Sequence, residues 1–341
     1  MEGQYRIVGG LGSPYSMKMR AVFRYRRLPH IFEMRNGAVR EEVAHVRPSI
    51  IPMVRGADDA DWMVDSTPIL YELETRHANG RSILPDNAGD RFLAELIEDF
   101  GDEWLTKAMF HYRWYYATDR SFSAFWIATD QVAGPEASRS TRQAFANQIS
   151  ERQVSRMALV GCTEANKPVI ERSYERVLDA LEPHVGFGRF LFGTRPSIGD
   201  FGLFGQLKTL GDDPTPQWLM RQRAPTVCHW IRQTDDLSGI SGEWRDESAQ
   251  IPEAVNALLQ ICGDSYLPFL AANSKAVAMD ADSVDLEILG LPFSQPPFRY
   301  QAKCYSRLKS LYENLPAPDK LKTDGVLEQT GCLEWLQGNA A

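Results

Sequence analysis

No two cysteines of this sequence stand at the spacing of a zinc or dithiol motif. Cys162, Cys228, Cys262, Cys304 and Cys332 are odd in number and scattered, so they read as reduced, mostly buried thiols, not as a disulfide framework. The six histidines are equally dispersed, and a metal centre would need ligands from remote segments with no local signature; no metal is expected. Runs of about 18 uninterrupted apolar residues are lacking, and the opening MEGQYRIVGGLGSPYSMK has neither the charged start nor the apolar stretch of a secretory signal. No membrane partner and a cytoplasmic location are the expectation. Positive charge is in deficit as well: the formal net charge is -8, without a basic tail or block. Nucleic acid, which is held by clustered Lys and Arg displacing counterions, is therefore not an expected partner. Repeats and low-complexity tracts are also missing.

What is present is an ordinary globular composition, 43% hydrophobic and 24% charged, in a chain of 341 residues, enough for two or three units. Tyr5 to Gly10 is a short β-prone run broken by Gly9-Gly10-Leu11-Gly12. From Pro14 to Arg27 apolar residues recur at helical spacing against Lys18, Arg20, Arg24, Arg26 and Arg27. His30 to Arg35 reads as a strand and Ala38 to Val46 as a short helix. Ile50-Ile51-Pro52-Met53-Val54 is an apolar run holding a proline that a central strand would exclude, because proline cannot donate to the ladder. Asp61 to Val64 is strand-like, and Asp65-Ser66-Thr67-Pro68 opens a helix to about His77, with Ser66 the expected N-cap. This β-α-β-α-β-β-α order suits a small α/β domain.

Helical periodicity dominates afterwards: Asp90 to about Ala117, Ala137 to Ala158, Lys167 to Leu181, and Ile198 to Leu210 behind the capping box Ser197-x-x-Asp200. Beyond Gly242 a helical stretch lies at Pro252 to Ile261. The proline-rich Leu291 to Phe298 reads as a packing segment, and another helix follows from Arg299 to Glu313.

The most informative segment is Gly12-Ser13-Pro14-Tyr15-Ser16, which puts a hydroxyl in the loop before a helix whose amides and dipole face it. One reading makes Ser13 a helix cap. The other makes the site an anion holder: a ligand thiolate would gain about 0.3–2 kcal/mol from the helix end and about 1.5–3 kcal/mol from a hydroxyl hydrogen bond. At about 1.4 kcal/mol per pKa unit, a thiol near 8.5 would drop by roughly one to three units. Ser13 and Ser16 hold the positions of a Cys-x-x-Cys pair without either sulfur, which excludes dithiol chemistry here and points to a bound thiol cofactor.

These residues resemble the glutathione transferases. The matching elements are the strand leading to Ser13-Pro14-Tyr15-Ser16, the strand proline Pro52, the Asp65-Ser66 helix start and the later Ser197-Ile198-Gly199-Asp200. The resemblance covers roughly residues 4–235. It implies a thioredoxin-like N-terminal domain (1–86), an all-helical substrate domain (87–240) and a mostly helical C-terminal extension (241–341) packed on the helical domain. It also implies that Ser13 activates the glutathione thiol and that Pro52 is cis. Ile51 would pair its backbone with the glutathione cysteine, and Asp65 and Ser66 would hold the γ-glutamyl end. Tyr15 belongs to the same loop. The basic residue that relatives keep before the cis-proline is replaced by Ser49 and Ile50, leaving Arg47 or Arg40 for the glycine carboxylate.

Seven large rings between Trp104 and Tyr116 pair Phe110 with Trp114 and His111 with Tyr115 at i, i+4. They read partly as core and partly as the wall for an apolar electrophile, with His111, Trp114 and Tyr115 the candidates; His111 reads as a proton donor or as a structural histidine. The extension either braces the helical domain or closes the pocket mouth. The expected function is a homodimeric glutathione transferase conjugating the thiol to that electrophile. Its rivals are a glutathione-binding or interaction protein without turnover and a glutathione-dependent lyase, isomerase or dehalogenase.

Overall fold

The computed structural model describes residues 3–78, 80–132 and 137–338. Its N-terminal part runs β1 (Tyr5–Gly9), α1 (Pro14–Tyr25), β2 (His30–Met34), α2 (Gly37–Glu42), β3 (Met53–Arg55), β4 (Met63–Val64) and α3 (Ser66–Arg76). The strands form a mixed sheet in the order β2-β1-β3-β4. β1 is parallel to β2, from Tyr5 opposite His30 to Gly9 opposite Met34, and antiparallel to β3, where Val8 faces Met53. Alternation along β1 buries Ile7 in the main core and Val8 in a smaller cluster with Val43, Val46, Met53 and Trp62. Ile51-Pro52 is cis, as is Arg47-Pro48.

The helical part contains α4 (Ala88–Phe100), a π-turn (Gly101–Leu105), α5 (Thr106–Tyr115), α6 (Ala117–Gln131), α7 (Arg139–Val154), α8 (Lys167–Leu181), α9 (Ile198–Leu210), α10 (Pro214–Arg223) and α11 (Pro225–Thr234). The long helix expected from Asp90 to Ala117 is therefore broken, and a separate α6 fills a segment to which no element had been given. Asp200 closes a full capping box with Ser197 and also accepts the Leu191 amide at 3.0 Å. Along α9, Gly199, Gly202 and Gly205 let other backbones approach: an added Cβ would stand 2.9 Å from the Ala94 carbonyl, 2.8 Å from Glu98 Cα and 2.7 Å from the Pro14 carbonyl. This three-residue glycine spacing seats α4 on α9 and brings the start of α1 against the helical part. A thioredoxin-like domain followed by a helical domain is the resulting fold.

The extension contributes α12 (Glu253–Ile261), a second π-turn (Cys262–Tyr266), α13 (Leu267–Ala278), a hairpin of β5 (Val284–Ile288) and β6 (Leu291–Gln295), then α14 (Arg299–Glu313), α15 (Ala317–Gln329) and α16 (Leu333–Gln337). The proline-rich segment from Leu291, to which no element had been given, is thus largely strand. Pro292 is tolerated because the ribbon has only two strands, so an edge is always available. Leu289 and Gly290, at φ of 55° and 74°, make its two-residue turn. Among the described residues no helix is long and apolar enough to cross a membrane.

Candidate functional site

A cavity of about 1070 Å³ lies between the two domains and is closed on a third side by the extension. Its first wall carries Ser13, Pro14, Tyr15, Ile51, Asp65 and Ser66. Ser13 caps α1: its Oγ accepts the Ser16 amide at 3.3 Å, with Pro14 in the first helical turn. That bond uses a lone pair and leaves the hydroxyl proton to donate.

The helical domain grips the loop before Ser13 from both sides. Asp130 of α6 accepts the Leu11 amide at 2.9 Å. Arg113 of α5 donates from Nη1 to the Gly12 carbonyl at 2.7 Å and from Nε to the buried Asp213 at 2.8 Å. Neither contact was foreseen, since each joins residues about a hundred or more positions apart.

The expected helix start is corrected by one residue: α3 begins at Ser66, and Asp65 occupies the cap position at a φ of 74° without a side-chain cap bond. Asp65 is engaged from the extension, because the Tyr300 hydroxyl donates to its Oδ2 at 2.8 Å. The Ser66 hydroxyl reaches Asp102 at 3.5 Å, a marginal contact. Tyr15 directs its phenol to the Asp102 carbonyl at 2.9 Å, and burial followed by the Glu103 and Asp102 charges pushes its pKa well above the usual value. At the opposite end Arg40 lines the cavity, whereas Arg47 turns to the Ala44 and Val46 carbonyls. Arg35, not anticipated, stands there with Nη2 donating to Ser49 Oγ at 2.5 Å; burial and the charges of Arg40 and Arg47 lower its pKa.

On α5 the two aromatic faces divide. Trp114 and Phe110, with rings 6.2 Å apart, line the cavity together with Met109. His111 and Tyr115 are stacked at 4.8 Å on the other face and do not line it. There His111 Nε2 meets Glu171 at 3.0 Å and Tyr115 bonds Glu164, so these two pocket candidates are corrected to packing residues against α8 and the turn before it.

Beneath the first wall lies a buried ionic cluster. Lys18 Nζ donates to Glu98 at 2.5 Å and Asp102 at 2.7 Å. Burial alone would lower the lysine, but the two carboxylates more than reverse that and raise it. Burial pushes Asp102 up to about 7, against the pull of Lys18, and burial with Glu98 pushes Asp99 up to about 6. The π-turn carries Asp102 into this cluster and Glu103 to the cavity, where burial and the neighbouring carboxylates raise Glu103 well above the usual range. One turn on, Lys107 borders the cavity and bonds the Val160 carbonyl and Gln295, with no carboxylate bonded to it among the described residues.

Residues 8–81 match the family model "Glutathione S-transferase, N-terminal domain" and residues 144–234 match "Glutathione S-transferase, C-terminal domain". No curated protein matches the chain. Similar solved structures include a Beta-etherase from Sphingobium sp. strain SYK-6, 13% identical over 67% of this chain and 93% of that one, with a TM-score of 0.45. A glutathione S-transferase from Rhodospirillum rubrum F11 is 16% identical over 75% of this chain and 91% of that one, TM-score 0.41. A glutathione transferase homolog from Drosophila mojavensis with bound glutathione is 14% identical over 76% of this chain and 94% of that one, TM-score 0.39. Likeness this remote says nothing of chemistry. The two domain matches, in order on either side of a cavity that gathers Ser13, Ile51, Asp65 and Ser66, place the chain in the glutathione S-transferase family.

Proposed function

We propose that the protein is a glutathione-dependent transferase, cytoplasmic and homodimeric, that ionises the glutathione thiol at Ser13 and delivers it to an apolar electrophile held against Phe110 and Trp114. The observation that carries this reading is the Ser13 hydroxyl at the start of α1 in the cavity wall, its lone pair spent on the helix cap and its proton free for a sulfur anion. Ile51 would pair with the cysteine backbone beside Pro52, Asp65 and Ser66 would take the γ-glutamyl end, and Arg40 with Arg35 the glycine carboxylate. The Tyr300 hydroxyl would share Asp65 with the glutathione ammonium, which the two oxygens of a carboxylate allow. The electrophile side is apolar where Met109, Phe110 and Trp114 face the cavity, so a transition state against them gains mainly from orientation next to the thiolate.

The test is a thiolate absorbance titration of bound glutathione in the parent and in Ser13→Ala. Binding should survive in the variant, while the thiol pKa rises by roughly one to two units, the worth of one charge-assisted hydrogen bond, and turnover at neutral pH falls with it. Identical titrations would reduce Ser13 to a helix cap and favour a binding protein without turnover. Calorimetry showing no glutathione binding by the parent would end the reading.

A further inference from the structure

Lys107 is buried at 3% exposure, on the face of α5 that borders the cavity. Its ammonium donates to the Val160 carbonyl at 3.0 Å and to Gln295 Oε1 at 2.6 Å. Both acceptors are neutral, and both residues line the same cavity. Among the described residues no carboxylate comes within ion-pair distance of it. The other compensation is aromatic: the ammonium lies 4.8 Å from the ring centre of Phe269, 5.7 Å from Trp104 and 6.0 Å from Phe293.

A buried cation in such a setting is costly unless something else is gained. Two hydrogen bonds leave one of its three donors unassigned. Glu103, in the π-turn before α5, also lines the cavity. Burial and the charges of Asp99 and Asp102 raise its pKa and Lys107 draws it the other way, but no bond joins it to the ammonium. The nearby walls are the apolar Phe110, Trp114 and Phe298.

We propose that the second substrate carries a carboxylate on an apolar, ring-sized body, and that Lys107 holds that carboxylate at the chamber end bounded by Val160 and Gln295. A single carboxylate matches one ammonium in charge. A dianionic phosphate would set extra charge against two carbonyl oxygens with no second cation bonded beside them. The extension builds this subsite, since Gln295, Phe269 and Phe293 all come from it. As a statement about turnover the assignment rests on the transferase reading; as a binding site it stands apart from it.

The experiment is calorimetry on the full chain with naphthoate and its uncharged isostere naphthamide, with and without saturating S-methylglutathione. The parent should bind naphthoate about tenfold or more tighter than naphthamide in both conditions, the expectation for one charge-assisted contact. Lys107→Met should bring the two ligands to parity with naphthamide nearly unchanged, and Lys107→Arg should keep the preference. A lysine that merely tied α5 to the hairpin would alter stability without moving this ratio. Equal affinities in the parent, or a preference that survives in Lys107→Met, would overturn the assignment, the latter handing the anion to Arg35, Arg40 or Arg152. Failure of S-methylglutathione to bind while naphthoate selectivity persists would sink the transferase reading and leave this site standing.

Discussion

Two lysines are buried, Lys107 on the cavity wall and Lys18 behind it, and their surroundings differ in kind. Lys18, fully buried, sits between Glu98 and Asp102 beneath Ser66. Lys107, almost as buried, has a backbone carbonyl, a side-chain amide and three rings. The first is neutralised by its own chain and works as scaffold under the wall that carries Ser66. The second bonds no carboxylate among the described residues and borders the cavity, where a substrate could supply one. Burial depth alone therefore does not sort structural charges from functional ones; the identity of the partners does.

The largest expected effect breaks the pair apart by stability. Lys18→Met leaves Glu98 and Asp102 buried without their cation, which should cost about 3–5 kcal/mol. Lys107→Met removes a charge whose desolvation was only partly offset, so the loss of two hydrogen bonds and the relief of burial nearly cancel, leaving a change of about 1 kcal/mol or less. Urea unfolding of the three proteins measures both. Equal losses would mean that Lys107 is as structural as Lys18.

Alkaline pH sharpens the same contrast through sign. Burial lowers Lys107 from the ordinary 10.5 to about 8. Its contribution to stability is thus complete above 10.5 and is lost as pH falls towards 8, where the unfolded chain takes up a proton that the folded one declines. Parent stability relative to Lys107→Met should rise between pH 8 and 10, by an amount on the order of 2–3 kcal/mol. Lys18, raised by Asp102 and Glu98, behaves oppositely: its contribution is full below its ordinary value and declines only above it. The Lys18 ammonium itself should accordingly add no pH dependence to the parent's stability across the same interval. A flat margin for Lys107→Met would place its ammonium in water.

Much of the first cavity wall was legible because its signals are local. Ser13-Pro14 before a helix and Ser197 three residues before Asp200 each declare a backbone conformation by themselves, and the structure has α1 and a capping box at those places; the cis bond at Pro52 was implied by the family resemblance. The chamber was less legible. Period along α5 separates Phe110 and Trp114 from His111 and Tyr115 but cannot say which pair meets the cavity, and only Trp114 of the three candidates does. The π-turn at Gly101–Leu105 shifts the helical phase, so a face followed from α4 into α5 loses register. The partners of Lys107 and Asp65 lie as far as 188 and 235 residues along the chain, where no spacing rule reaches.

The smallest effect asks whether the extension, which reaches Lys107 through Gln295, also acts on the wall that carries Asp65. Tyr300 of α14 donates to Asp65 Oδ2 at 2.8 Å from a partly exposed position. A single donor on one oxygen fixes the carboxylate's rotation while the other oxygen stays open to an ammonium. Tyr300→Phe keeps the ring and removes only that hydrogen bond, worth about 1 kcal/mol at such a site. If Tyr300 orients Asp65, glutathione affinity should weaken by roughly two- to fivefold. The bound thiol's pKa should not move, because Ser13 and the α1 amides are untouched. Calorimetry and the thiolate titration together read both quantities. Tighter binding in the variant would instead identify the Tyr300 hydroxyl as a competitor that glutathione must displace, and unchanged binding would confine the extension's part in the cavity to the Lys107 side.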